Sequence, residues 1–318
     1  MTLLLREEDI SKLLRVDDCI RVLEEAFKGL GRGQASNDPR RRLRVESGVL
    51  HLMAAAAPYA GALGFKAYAT VGKGASFLIA LYSSESGELL SLMEGRLLSA
   101  IRTGAATGLA TKYMARVDAS VVGIIGTGYQ AAAQLEALCA VRPVREIRAY
   151  SRDSERRGRF AREMTVKLGV GVKAVESAEE AVRGAPVVVT ITSSREPVLK
   201  GEWLDPGTHV NAAGGNHWAR RELDDMAVRR SRVIVVDDLA QARLECGDLI
   251  YPIEGGVLRW EQVRSLAEVV GGMVPGRSDD EEITLFESQG VAIEDVATAM
   301  HVYQRAREAG LGQEVRFR

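Results

Sequence analysis

Cysteine is scarce in this sequence. Cys19, Cys139 and Cys246 are far apart, odd in number and without metal-ligand spacing. They read as reduced thiols of a cytoplasmic protein rather than as a disulfide framework. Excess charge is missing too. The 42 basic residues nearly balance 43 acidic ones, leaving a net charge of −1. That balance gives no electrostatic reason to expect nucleic acid or an anionic membrane as partner. Basic clusters such as Arg40-Arg41-Arg42 and Arg156-Arg157 are too short to change this. No apolar run approaches the length of a membrane span. The start, residues 1–9, turns acidic after three leucines, unlike a secretory signal. Repeats and low-complexity tracts are absent. His51, His209, His217 and His301 show no metal spacing, and no Ser/His/Asp triad can be inferred. No metal site is expected. What is left is a soluble globular chain of 318 residues, 46% hydrophobic, long enough for one large domain or two ordinary ones.

The most informative stretch lies near the middle. A β-branched run (Val121, Val122, Ile124, Ile125) meets Gly126-Thr127-Gly128-Tyr129-Gln130-Ala131, and a helical pattern follows with Ala132, Leu135, Leu138 and Cys139 on one side. Strand, glycine turn and helix in that order form the dinucleotide-binding fingerprint, with Ala131 in the third glycine's place. Gly126 permits the tight turn, and Gly128 has no Cβ to obstruct a pyrophosphate. Amides from about Tyr129 onward offer donors and a positive dipole end to the anion.

A second strand, 146–150, ends in Tyr150-Ser151-Arg152-Asp153. An acid here accepts from the ribose 2′-hydroxyl of NAD, whereas an arginine suits the 2′-phosphate of NADP. Ser151 and Arg152 occupy the deciding place. Asp153 either reaches the ribose or caps the helix that follows, and capping is the commoner use of such an Asp. The reading favours NADP(H), with NAD(H) as the other option.

Taken in order, residues 5–34 read as two helices, with Asp17 or Asp18 capping the second. Runs 43–45, 49–55, 62–70, 76–82 and 88–93 then read as strands of a mostly antiparallel sheet, with a hairpin turn at 83–87. A long helix is expected over 94–116. From Asp118 strand and helix alternate, which argues for a parallel sheet. Its expected strands are 121–125, 146–150, 171–174, 187–192, 208–212 and 233–236. One more strand is expected at 283–286 and a last helix over 291–309, packing back on the first domain. The fold class is therefore α/β, a Rossmann dinucleotide-binding domain (118–290) plus a discontinuous mixed α+β domain (1–117 with 291–318) for substrate binding and dimerisation.

Four separated motifs resemble the ornithine cyclodeaminase/mu-crystallin family. They are Gly64-Phe65-Lys66, Arg102-Thr103-Gly104-Ala105-Ala106-Thr107-Gly108-Leu109-Ala110-Thr111-Lys112-Tyr113, the Gly126–Ala131 turn, and Asp280-Glu281-Glu282-Ile283-Thr284-Leu285-Phe286-Glu287-Ser288. The resemblance runs from about residue 5 to the C-terminus. It implies a homodimer built on the N-terminal sheet and hydride exchange at the carbon beside a carboxylate. Members include ornithine cyclodeaminases, an archaeal type of alanine dehydrogenase and ketimine reductases, while mu-crystallin also binds thyroid hormone.

Three cations become candidate site residues. Lys66 stands in an otherwise apolar strand. Arg102 lies among small helical residues with no acid three or four positions away. Arg40 matches the family's Pro-Arg position, although Arg41 or Arg42 takes the role if the register slips. Arginine recognises a carboxylate bidentately, which would fix an α-imino or α-amino acid against nicotinamide. A lysine whose pKa is lowered by neighbouring arginines would serve as proton donor. Thr190, Thr192, Ser193 and Asn211 stand at strand ends, where α/β sheets bind ligands, and join the cofactor candidates. Asp237-Asp238 reads as a helix cap. One departure matters. Asn216 stands where the resemblance implies an Asp in the cyclodeaminases and the archaeal alanine dehydrogenase, and a small neutral residue in the reductases. The expected activity is reduction of a cyclic or open-chain α-imino acid, such as 1-pyrroline-2-carboxylate, to the L-amino acid. The alternatives are a cyclodeaminase or amino-acid dehydrogenase, and a cofactor-dependent binding protein of the mu-crystallin type.

Overall fold

A computed structural model describes residues 1–72 and 74–316. The chain forms two compact units, Met1–Arg102 with Val291–Arg318, and Thr103–Gly290. The division falls inside the helix Arg96–Met114, upstream of the position 117/118 expected from sequence. Its second half packs within the later unit. A Cβ on Gly104 would meet Ala133 O at 2.3 Å, so this turn of helix lies directly on the helix Ala131–Val141. Arg142 Nη2 donates to Thr111 O at 2.6 Å.

The first unit is built on one mixed sheet. Its strands are β1 (Thr2–Leu5), β2 (Ser36–Asn37), β3 (Arg41–Val45), β4 (Gly48–Ala57), β5 (Ala62–Val71), β6 (Gly74–Ser83) and β7 (Leu89–Glu94). β4, β5, β6 and β7 are antiparallel neighbours. β1 was not expected. It pairs parallel with β7 and antiparallel with Gln313–Val315, and the alternating burial of Leu3 and Leu5 fits strand rather than helix. The helices are Glu7–Leu13 and Val16–Gly31. Arg15, not Asp17 or Asp18, occupies the N-cap of the second. The two acids sit in the first turn instead, where the helix dipole favours them.

Alternation decides which side of this sheet is covered. Met53, Lys66 and Ile79 are opposite one another on one face and fully buried, against the last helix, Ala292–Ala309. The other face carries Leu50, Leu63 and Leu78, each more than a third exposed.

The second unit is a parallel sheet buried on both faces. Its strands are β8 (Val121–Ile125), β9 (Glu146–Tyr150), β10 (Gly171–Ala174), β11 (Val187–Thr190), β12 (His209–Ala212), β13 (Val233–Val236), β14 (Val263–Ser265) and β15 (Thr284–Glu287). They lie in the order β10-β9-β8-β11-β12-β15-β13-β14. Val187 and Val189 join Leu135, Leu138, Phe160 and Met164 in one core cluster. Val188 joins Val210, Ile234 and Leu285 in the other. Runs of Val and Ile without polar alternation are what a two-sided core requires. The expected strand at 283–286 is β15, inserted between β12 and β13. β14 was not expected.

Candidate functional site

The glycine turn follows directly from β8. Gly126 has φ +113°, a conformation that L side chains rarely adopt. A Cβ there would meet Ile191 O at 2.4 Å. Gly128 is different, because a Cβ would meet only Arg156 Nη2, at 3.8 Å. The space above Gly128 is open, as a pyrophosphate needs. Thr127 Oγ1 donates to Ser151 Oγ at 2.9 Å, tying the turn to the end of β9. Asp153 Oδ1 accepts from Arg156 N at 3.0 Å and caps the helix Ser154–Leu168. Ser151 and exposed Arg152 stand beside Asp153, just after β9. Arg156, passed over in the sequence, donates from Nε to Thr127 O at 3.2 Å and lies along the turn. The cradle, the donors and the absence of a blocking side chain fit a dinucleotide. Tyr129 is half-exposed, Gln130 is the N-cap of the next helix, and Ala131 opens it fully buried.

The strand-end candidates divide. Thr190 ends β11 and Thr192 and Ser193 follow it, but Thr190 Oγ1 donates to Glu222 Oε2 at 2.9 Å. Thr192 N donates to Glu222 Oε1 at 2.6 Å and Gly214 N to Glu222 Oε2 at 2.8 Å. One buried carboxylate thus pins both strand-end loops, including the segment that leads to Asn216. Asn211 lies near the end of β12. Its Nδ2 donates to Thr111 Oγ1 at 3.0 Å and its Oδ1 faces His209 Nε2 at 3.2 Å. The side chain is fully buried and hydrogen-bonded at both ends.

Below Glu222 lie further acids. Asp248 Oδ1 accepts from Glu222 N and Leu223 N, both at 2.8 Å. Burial, then Glu222 nearby, push its pKa up to about 7 against those hydrogen bonds. Burial and then Asp248 raise Glu287 well above the usual carboxylate range. Asp238 caps its helix as expected, whereas Asp237 Oδ2 accepts from Gln289 N and Gly290 N.

In the first unit, Lys66, Arg102 and Arg40 are brought together and buried. Glu7 caps the helix Arg96–Met114 from outside, accepting from Arg96 N and Leu97 N at 2.8 Å. That fixes the turn carrying Ser99 and Arg102. Lys66 Nζ donates to Ser99 Oγ at 3.4 Å and pairs with Asp295 Oδ2 at 2.6 Å. Arg102 Nε donates to Asp295 Oδ1 at 3.0 Å, and Nη1 to Glu294 Oε2 at 2.5 Å. Arg40 Nε reaches Met53 Sδ at 3.4 Å. Burial first, then Arg102, lower the Lys66 pKa to about 7, against the pull of Asp295. An ammonium that titrates near neutrality can hold or release a proton where a free lysine cannot.

Glu294 and Asp295 were missed in the sequence. The signal was available: two acids in a first helical turn, bracketed by Ile293, Val296 and Ala297, on the side that burial would cover. Among the described residues no group of His, Cys, Asp and Glu could hold a metal ion.

A parallel sheet with a glycine-turn cradle defines the class, a dinucleotide-binding oxidoreductase. The chain belongs to the ornithine cyclodeaminase/mu-crystallin family, whose profile matches residues 1–310. It is 39% identical to the alanine dehydrogenase of Archaeoglobus fulgidus over 322 residues, covering 99% of this chain and 98% of that one. The Delta(1)-pyrroline-2-carboxylate reductase of Thermococcus litoralis, solved with NADH and L-proline, superposes with a TM-score of 0.95 at 39% identity, covering 99% of this chain and 100% of the other. An archaeal alanine dehydrogenase, solved as a dimer with NAD, gives 0.93 at 38% identity, with 99% of each chain covered.

Proposed function

We propose that this protein reduces an α-imino acid, a cyclic ketimine such as 1-pyrroline-2-carboxylate among them, to the L-amino acid, with NADPH preferred over NADH. The observation that carries the reading is the buried cluster of Lys66, Arg102 and Arg40. Such a cluster suits a substrate carboxylate. When bound at the Gly126–Gly128 turn, a reduced nicotinamide would supply the hydride that the imine carbon accepts. The residues of this chain do the rest. Arg102 and Arg40 orient the carboxylate, Lys66 delivers a proton to the imine nitrogen, and Asp295 holds Lys66 in place. Ser151 and Arg152 support the 2′-phosphate preference, since Asp153 is committed to its helix cap. The solved relative with NADH and L-proline supports the reaction class and leaves the cofactor preference to experiment.

Similarity to an alanine dehydrogenase favours a second reading, oxidation of an amino acid. Asn216 counts against it. An amide is neutral at any working pH and has no basicity with which to take a proton from a substrate ammonium. The dimer expected from the sequence fits the apolar face of the first unit's sheet, where Leu43, Leu50, Leu63 and Leu78 are exposed. Two copies packed through it would cover a surface that monomers seldom leave open. The three free thiols fit a reducing compartment. No helix among the described residues is long and apolar enough to cross a membrane.

The test is a steady-state assay of NADPH and NADH oxidation with 1-pyrroline-2-carboxylate, alongside ornithine with catalytic NAD. Ketimine reduction without proline formation from ornithine is the expected result. Rapid proline formation from ornithine would overturn the reading and place a base on another residue.

A further inference from the structure

Two adjacent arginines lie in the first turn of the helix that follows β9, and the fold uses them differently. Arg157 is buried. Its Nη1 donates to Ser151 O at 3.1 Å, it pairs with Glu176, and its guanidinium lies 5.7 Å from the Tyr150 ring centroid. A carbonyl, a carboxylate and a ring face account for that side chain within the fold. Arg156 is exposed and reaches back to the glycine turn. Its backbone N–H donates to Asp153 Oδ1 at 3.0 Å, and its Nε donates to Thr127 O at 3.2 Å. Among the described residues no carboxylate pairs with its side chain.

Those two bonds fix the side chain at both ends of its stem and leave Nη1 and Nη2 to a ligand. Nη2 lies 3.8 Å from the point where a Cβ on Gly128 would stand. That glycine is the position a pyrophosphate approaches in a turn of this kind. The turn itself has no cation to offer. Gly126-Thr127-Gly128-Tyr129-Gln130-Ala131 holds no lysine or arginine, and neither does the helix Ala131–Val141. Backbone amides and the helix dipole are its own means of meeting an anion. An arginine fork adds full charge and matches phosphate oxygens in geometry.

Resting on the reading that a nicotinamide dinucleotide binds at the Gly126–Gly128 turn, we propose that Arg156 holds the cofactor's pyrophosphate through Nη1 and Nη2, in NADPH and NADH alike. Two nearby arginines then divide the cofactor between them. Arg152 discriminates the ribose, and Arg156 supplies binding that both cofactors share. The bond to Thr127 aims the guanidinium.

The test measures dissociation constants for NADPH and NADH by fluorescence titration, with the unaltered full chain and with Arg156→Lys, Arg156→Gln and Arg156→Glu. All three variants lose the Nε bond to Thr127, so charge is what differs among them. Arg156→Gln should weaken both cofactors by a similar factor, roughly tenfold at low salt. Arg156→Lys should weaken them less and Arg156→Glu more. High salt should narrow these differences, because an exposed charge contact is screened. The ordering of any two folded variants decides the matter. Equal weakening in all of them would make Arg156 a brace for the turn and overturn the proposal. A loss confined to NADPH would overturn it too, by assigning Arg156 to the 2′-phosphate, as would unchanged binding. An unaltered protein that binds neither cofactor would overturn the placement of the dinucleotide and this inference with it.

Discussion

Each unit buries charged side chains, but by different physics. In the first, Lys66 and Arg102 lie against Asp295 and Glu294, and opposite charges offset one another's desolvation. In the second, Glu222, Asp248 and Glu287 are buried with carboxylates for neighbours and are held by backbone N–H groups, hydroxyls and a thiol. Burial raises their pKa values, as it also raises that of Glu294, but here no cation pulls the other way at Glu287 or leads at Glu222. Ion pairing keeps charge available for chemistry. Protonation removes it, leaving a scaffold. The contrast separates the candidate site from a network that positions.

The sharpest break is Lys66→Ala. A positioned proton donor is worth roughly 10²–10⁴-fold, so the catalytic constant for imine reduction should fall by about that factor while NADPH binding, followed by fluorescence titration, persists. Near-normal turnover would put the chemistry elsewhere. Asp295→Ala comes next. It leaves Lys66 and Arg102 short of a partner, and breaking a buried pair costs about 3–5 kcal/mol, visible as a lowered midpoint in denaturant unfolding. An unchanged midpoint would dismiss the ion-pair account.

Arg152→Ala probes the second unit at its ligand edge. A charge-assisted contact is worth about 1.5–3 kcal/mol, so the KM for NADPH should rise roughly tenfold to a hundredfold, with little effect for NADH. Equal effects on both cofactors would return the ribose to another residue.

Asp248→Asn should have the smallest effect, and its sign distinguishes the two regions. The Asp248 pKa is raised from 3.8 to about 7, so the folded state keeps a proton that the unfolded chain gives up. Stability from this group is complete below 3.8 and declines as pH rises to about 7. Asn keeps an oxygen for Glu222 N and Leu223 N yet cannot ionise. The variant's unfolding free energy should therefore fall less between pH 4 and pH 7 than that of the unaltered protein. A steeper fall would refute the assignment.

Much of this was legible in the sequence where local pattern sufficed. The β8-turn-helix segment, the capping role of Asp153 and the strand β15 rest on residues a few positions apart. Lys66 and Arg102 stood out because each was a charge in an apolar or small-residue context. What escaped depended on distant partners. Glu294 and Asp295 are separated from Arg102 by 192 and 193 residues, and nothing local pairs them. The bond from Asn211 to Thr111, 100 residues away, likewise had no local signal. β1 was missed because three leucines carry no period of their own until Gln313–Val315 and β7 flank them.

The position of the last helix has a consequence for biosynthesis. Lys66 and Arg102 emerge from the ribosome early, whereas Glu294 and Asp295 are made near the end of the chain. β15, which fills the gap between β12 and β13, is also a late arrival. Contacts so far apart in sequence form slowly, because a long loop must close first. Until the end of the chain is made, β12 and β13 have no β15 between them and Lys66 and Arg102 have neither Glu294 nor Asp295. A chain released before Val291 would lack Glu294 and Asp295, the two acids that pair with Lys66 and Arg102.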